Sequence, residues 1–133
     1  MLLTGDYTPL LPALERMRVR QYVLEYATPR AGDIGVVGGA LSGSVPDTEA
    51  AGGLPREIGL GVVNPRTTEA ESPEFIVQKA EEALKYYRPE QVFLNTDCGF
   101  GCFANRCVNV EEVAAAKIRS IATAARMLRE KWG

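Results

Sequence analysis

Residues 91–101 read QVFLNTDCGFG, Gln91 to Gly101. The first five, QVFLN (91–95), form a short, mostly apolar run without polar alternation, the pattern of a strand buried on both faces. The chain then turns sharply: Gly99 and Gly101 admit backbone conformations closed to other residues. Cys98 sits in that turn, just past the strand. Working outward, RPE (88–90) breaks a preceding helix that Ser72-Pro73 opens and that runs to about Tyr87, with Ile76, Ala80, Ala83, Leu84 and Tyr87 on one face. Before it, EIGLGVV (57–63) is a second buried strand and NPRTTEAE a loop. After the Cys98 turn, Asn109 with Glu112 resembles a capping box for a last helix whose stripe is Ala114, Ile118, Ile121, Ala125, Leu128 and Trp132.

Further upstream, Thr8-Pro9 opens a first helix, and QYVLEY (21–26) is a third strand. Residues 27–56 are rich in Gly, Pro and small side chains. Most of this stretch, 35–56 above all, reads as a long, partly mobile loop, with room for a short strand or helical turn near 34–41. Strands joined by helices without alternation imply an α/β fold of parallel βα units in a single domain, 1–133. Ligands of such folds gather at the carboxyl ends of the strands. Glu25 with Tyr26, Asn64 with Arg66, and the Asp97–Cys98 turn all fall there.

The composition narrows the function. The chain has 15 Lys and Arg, 17 Asp and Glu, and a net charge of −2, so it carries no electrostatic footprint for nucleic acid. No apolar run approaches the roughly 20 residues of a membrane span, and the N-terminus lacks the basic region of a signal peptide, so the expected location is the cytoplasm. There are three Cys and no His. An odd, clustered set of Cys argues against a disulfide framework and for thiols or metal ligation. The absence of His excludes any imidazole base or ligand from this sequence.

Cys98 is therefore the leading candidate for chemistry, as nucleophile or thiolate ligand; the alternative is a small packed hydrophobe. Cys102 and Cys107 extend a C-x3-C-x4-C run, unlike the C-x2-C of zinc knuckles. They are possible extra thiols, or small packing residues. Glu25 lies in an otherwise apolar strand, where an unpaired carboxylate is costly; it either pairs with a neighbour such as Arg30 or binds a metal or substrate. Arg66 and Asp97 are weaker candidates for holding a small anionic or amine-bearing ligand. Glu69 and Glu71 read as a solvated loop.

The stretches GDYTPLLPAL, VLEYATPRAGD, EIGLGVVNPRTTEAESPE and LNTDCGFGCFANR resemble the C-terminal part of the catalytic barrel of cobalamin-independent methionine synthases, over nearly the whole chain apart from about 35–55. The resemblance implies a partial (βα)8 barrel of about the last three βα units, where a whole barrel takes about 250 residues. It implies a zinc-dependent methyltransferase in which the metal activates the homocysteine thiol to receive a methyl group, giving methionine. The implied substrates are a small-molecule thiol and a methyl donor. The family ligands are a His and a Cys in an H-x-C motif, then a Glu, then a Cys; the last two carry over to Glu25 and Cys98. By register the motif's His falls at Met1 and its Cys at Leu3, so neither is present. Thr96 stands where the family has Pro in the turn, and Cys102 and Cys107 where it has small residues or Pro. Three readings follow. The chain is a fragment that needs the missing barrel portion, or a degenerate binding protein that covers its open sheet edges as a homo-oligomer, or the bearer of a new metal site built from the Cys cluster with Glu25.

Overall fold

The computed structural model describes residues 5–103, 106–107 and 109–133. Helix α1 (Leu11–Arg16) follows a 3-10 turn at Thr8–Leu10 and leads into β1 (Gln21–Glu25). Then come α2 (Ile34–Leu41), β2 (Glu57–Val63), α3 (Pro73–Ala83) and β3 (Val92–Thr96). The small strands β4 (Gly101–Phe103) and β5 (Arg106–Cys107) precede the long α4 (Glu111–Trp132). The main sheet has the order β1-β2-β3, all parallel, while β4 and β5 pair antiparallel with each other.

The register aligns Tyr22, Ile58 and Val92 in one row and Leu24, Leu60 and Leu94 in another. These rows face the helices. They join Ile34, Val37 and Leu41 of α2, Ile76 and Ala83 of α3, and Ala124 of α4 in one apolar cluster. The opposite face carries the row Val23, Gly59, Phe93, where Val23 is 61% and Phe93 43% exposed. Only the central strand β2 is therefore covered on both sides; burial of every strand on both faces is not realised. Sequential parallel strands with the core on one face are a sector of a barrel wall rather than a doubly wound sheet.

Three local readings are corrected. The stretch expected to be mostly loop, with room for a short strand or helical turn near 34–41, holds the two-turn helix α2 there, which Asp33 caps by accepting from the Gly35 N–H at 2.7 Å. Its glycines argue against helix by propensity. A Cβ on Gly38, however, would lie 2.5 Å from the Tyr86 ring, so close packing of this helix requires glycine there. The last helix has Val110 at its N-cap, without a side-chain cap. Its buried stripe is also turned: Lys117 and Ala124 are fully buried, whereas Ile118 and Trp132 are about half exposed. The α3 start is as expected, with Ser72 Oγ accepting from the Phe75 N–H at 3.2 Å. That helix ends at Ala83, with a turn carrying the chain to Tyr87. Among the described residues no helix is long and apolar enough to cross a membrane.

Burial gives the fold an alkaline signature. It raises the hydroxyl pKa of Tyr7, Tyr26 and Tyr87, the last to about 12. A raised folded-state pKa contributes stability that is complete below the unfolded value of about 10 and is lost as pH rises through the folded one. Ultraviolet titration should show three of the five tyrosines lagging behind free tyrosine and ionising as the chain unfolds. All five ionising together near pH 10 would contradict this packing.

Candidate functional site

The carboxyl ends of the three parallel strands open into one cleft of about 830 Å³. β1 ends at Glu25, β2 is followed by Asn64 and Arg66, and β3 by Asp97 and Cys98; all five line the cleft, joined by Asp6, Tyr7 and Arg30 from the flanking segments. The structure thus brings together every strand-end candidate except Tyr26. That side chain is buried at 2% exposure, its hydroxyl lacking a hydrogen-bond partner among the described residues.

The floor is built on Asp97. Its Oδ1 accepts from the N–H groups of Tyr26 at 3.2 Å and Ala27 at 3.1 Å, while its own N–H donates to the Val63 carbonyl at 2.8 Å. One residue therefore ties the ends of all three strands, just after Glu25 and just before Cys98. Burial pushes the Asp97 carboxyl above its usual range, against the pull of the two backbone donors. With Oδ1 committed to the backbone, Asp97 is first a fastener of the cleft. Asp97→Ala should cost about 2–3 kcal/mol by leaving two amides without their acceptor, while Asp97→Asn keeps an oxygen there and should stay within about 1 kcal/mol. Urea midpoints of the two variants test this; equal values would remove the fastening role.

Tyr7 was not legible as a site residue. Its hydroxyl accepts from the Glu25 N–H at 2.9 Å and donates to the Glu25 carbonyl at 3.1 Å, occupying the outer edge of β1 at its last residue. Glu25 makes no ion pair with Arg30 or any other described residue, although both line the cleft. Cys98 is exposed, so it is not a packed core residue. The side chains of Cys102 and Cys107, and the positions Met1 and Leu3, lie outside the described residues.

The loop after β2 also departs from expectation. Glu71 is not solvated: its Oε2 accepts from the Asn64 N–H at 2.5 Å and its Oε1 from Lys117 Nζ at 2.7 Å. Asn109, expected as a helix cap, instead donates from Nδ2 to the carbonyls of Pro65 and Thr67, each at 2.7 Å.

Zinc asks for about four donors of the thiolate, imidazole or carboxylate type, or three and an open position. The cleft lining carries the Cys98 thiol and the carboxylates of Glu25, Asp6 and Asp97, the last committed through Oδ1 to the backbone, and among the described residues no three such side chains are grouped so as to hold a metal ion. These residues alone do not fit a zinc ion.

A family model described as cobalamin-independent synthase, catalytic domain, matches residues 42–126. The chain is 27% identical over 127 residues to a methionine synthase of Pyrococcus abyssi, covering 96% of this chain and 32% of that protein. It is 41% identical over 44 residues to one from Sulfolobus acidocaldarius, covering 33% of this chain and 13% of that protein. In fold it is similar to a B12-independent methionine synthase from Shewanella sp. W3-18-1, solved in complex with selenomethionine. That likeness has a TM-score of 0.74 at 15% identity and covers 96% of this chain and 32% of that one. The chain thus spans about a third of the length of relatives that it matches almost end to end, and the shared fold is a part of their TIM-type barrel.

Proposed function

The chain belongs to the cobalamin-independent synthase catalytic-domain family, and on that premise we propose that it forms the C-terminal sector of a cytoplasmic methyltransferase barrel that makes methionine from homocysteine. The observation that carries this reading is the meeting of Glu25 and Cys98 in one strand-end cleft. They are the two positions to which the family's carboxylate and final thiolate ligands carry over. In the completed barrel they would be two of the zinc donors, with the others supplied from outside the described residues. Arg66, which makes no ion pair with a described residue, would receive the anionic group of the substrate.

The partner is the rest of the barrel. In a parallel ladder, alternate residues point their backbone groups to opposite neighbours. The Arg20 carbonyl and Tyr26 N–H bond toward β2, so Gln21, Val23 and Glu25 face outward. Tyr7 occupies the Glu25 position, leaving Gln21 and Val23 to pair with a further strand. The exposed row of Val23 and Phe93 is the inner wall that such strands would cover. A second copy of the chain would bury the same row, and light scattering separates the two, since a homo-oligomer forms without any other polypeptide.

The test combines this chain with a polypeptide carrying the preceding barrel units of a family member. Methionine formation from homocysteine and a methylated folate should appear only in the mixture and fall at least 100-fold in Cys98→Ser and Glu25→Gln, the scale of losing a metal-site interaction. Unchanged turnover in Cys98→Ser would overturn the reading.

A further inference from the structure

Helix α4 contributes no residue to the cleft lining, yet it carries a lysine in the middle of its buried stripe. Lys117 is 0% exposed. Its Nζ donates to Thr67 Oγ1 at 2.8 Å, to the Glu69 carbonyl at 2.7 Å and to Glu71 Oε1 at 2.7 Å. An ammonium has three donors and no acceptor, and here each donor has its own acceptor. All three acceptors belong to the segment between β2 and α3.

From there the connections run to the cleft. The second oxygen of Glu71 accepts from the Asn64 N–H, and Asn64 Oδ1 accepts from the Arg66 N–H at 3.0 Å. Thr67 Oγ1 also donates to the Asn64 carbonyl at 3.2 Å. Asn109 grips the same segment at Pro65 and Thr67. A buried ion pair is weak evidence for net stability, because desolvation offsets most of the attraction. A fully satisfied buried polar network does, however, hold a single geometry.

We infer that Lys117 is a positioning residue, locking the segment 64–71 from behind so that Arg66 stands in the cleft wall. Asn64 and Arg66 take their places through Glu71, and Lys117 touches no part of the cleft itself. The inference deepens the proposed function by naming what orients its anion-binding arginine. It rests on the geometry of the segment, so methyl transfer can fail while the lock holds.

The experiment is hydrogen exchange by mass spectrometry on the whole chain, with trypsin cleavage after Arg66 as a second readout. Thr67→Val removes one acceptor at an exposed position, whereas Thr67→Ser keeps the hydroxyl. Exchange over 64–71 should rise about tenfold in Thr67→Val, as for loss of a hydrogen bond to a charged group, and stay at the wild-type rate in Thr67→Ser. The double variant Lys117→Met, Glu71→Gln leaves no buried charge and keeps an acceptor for Asn64. It should exchange faster still over 64–71 and be cut rapidly after Arg66, with α3 and β2 as protected as in the wild type. The lock is refuted if 64–71 keeps its wild-type protection in the double variant. It is equally refuted if protection falls there only together with β2 and α3, which would make Lys117 an ordinary core residue. Should the double variant not fold, the Thr67 pair decides: equal exchange in Val and Ser refutes the lock.

Discussion

Lys117→Met is expected to destabilise the chain by about 3–5 kcal/mol, the cost of breaking a buried pair from one side. Methionine fills nearly the same volume, so the cavity contribution is small. What remains is Glu71, whose side chain is only 14% exposed and whose Oε1 loses its cation. The Thr67 hydroxyl and the Glu69 carbonyl lose their donor as well. Restoring neutrality with Glu71→Gln should recover much of the loss, because the uncompensated charge is then gone. The two substitutions should therefore be strongly non-additive, as expected for residues in contact. Thermal or urea unfolding of the two single variants and the double completes the cycle. Additive losses would mean that the pair is not coupled.

Gly61→Val should be nearly as damaging, by about 3 kcal/mol or more, through overpacking at a backbone contact. A Cβ at Gly61 would overlap Asp97 Oδ1, stand 2.8 Å from the Leu24 carbonyl and lie 3.1 Å from the Glu25 Cα. Two of these neighbours are backbone of the adjacent strand, which cannot step aside without breaking the β1–β2 ladder. The third is the carboxylate that fastens the strand ends. The substitution should thus loosen the Glu25 and Cys98 ends together. A Cβ at Gly39 meets nothing within 4 Å, so Gly39→Val serves as control, its helix propensity being no worse than that of glycine. A Gly61→Val chain that melts with the control would show that β1 and β3 do not close on Gly61 as described.

The main framework was readable from residues alone because it rests on period and punctuation. EIGLGVV is β2 from end to end, and β1 and β3 lie within one residue of the expected bounds, whereas β4 and β5 fall in a stretch read as a loop. Ser72-Pro73 starts α3 because that signal is local. The misses share one cause: a distant partner decided the residue. Residue 38 is a glycine within a helix because the Tyr86 ring occupies the Cβ position, which no local propensity registers. Asn109 spends its amide on Pro65 and Thr67, 44 and 42 residues away, instead of on its own helix. Glu71 reads as a surface acid until Lys117 arrives from α4, on a face of the helix that the expected stripe of Ile118 and Trp132 does not include. The strand-end cleft was legible because strand order and direction set where Glu25, Arg66, Asp97 and Cys98 lie. Tyr7 and the fastening role of Asp97 were not, since both depend on hydrogen bonds to backbone groups 18 and 70 residues away.

On the proposed function, Glu25 and Cys98 are two donors of a metal site that the described residues do not complete. A competitive zinc titration of the purified chain, followed by dialysis and metal analysis, tests it most directly. The expected result is weak binding and substoichiometric zinc after dialysis, with stoichiometric retention only when the preceding barrel units are present and loss of that retention in Cys98→Ser. One tightly held zinc per chain without those units, lost in Cys98→Ser, would contradict it.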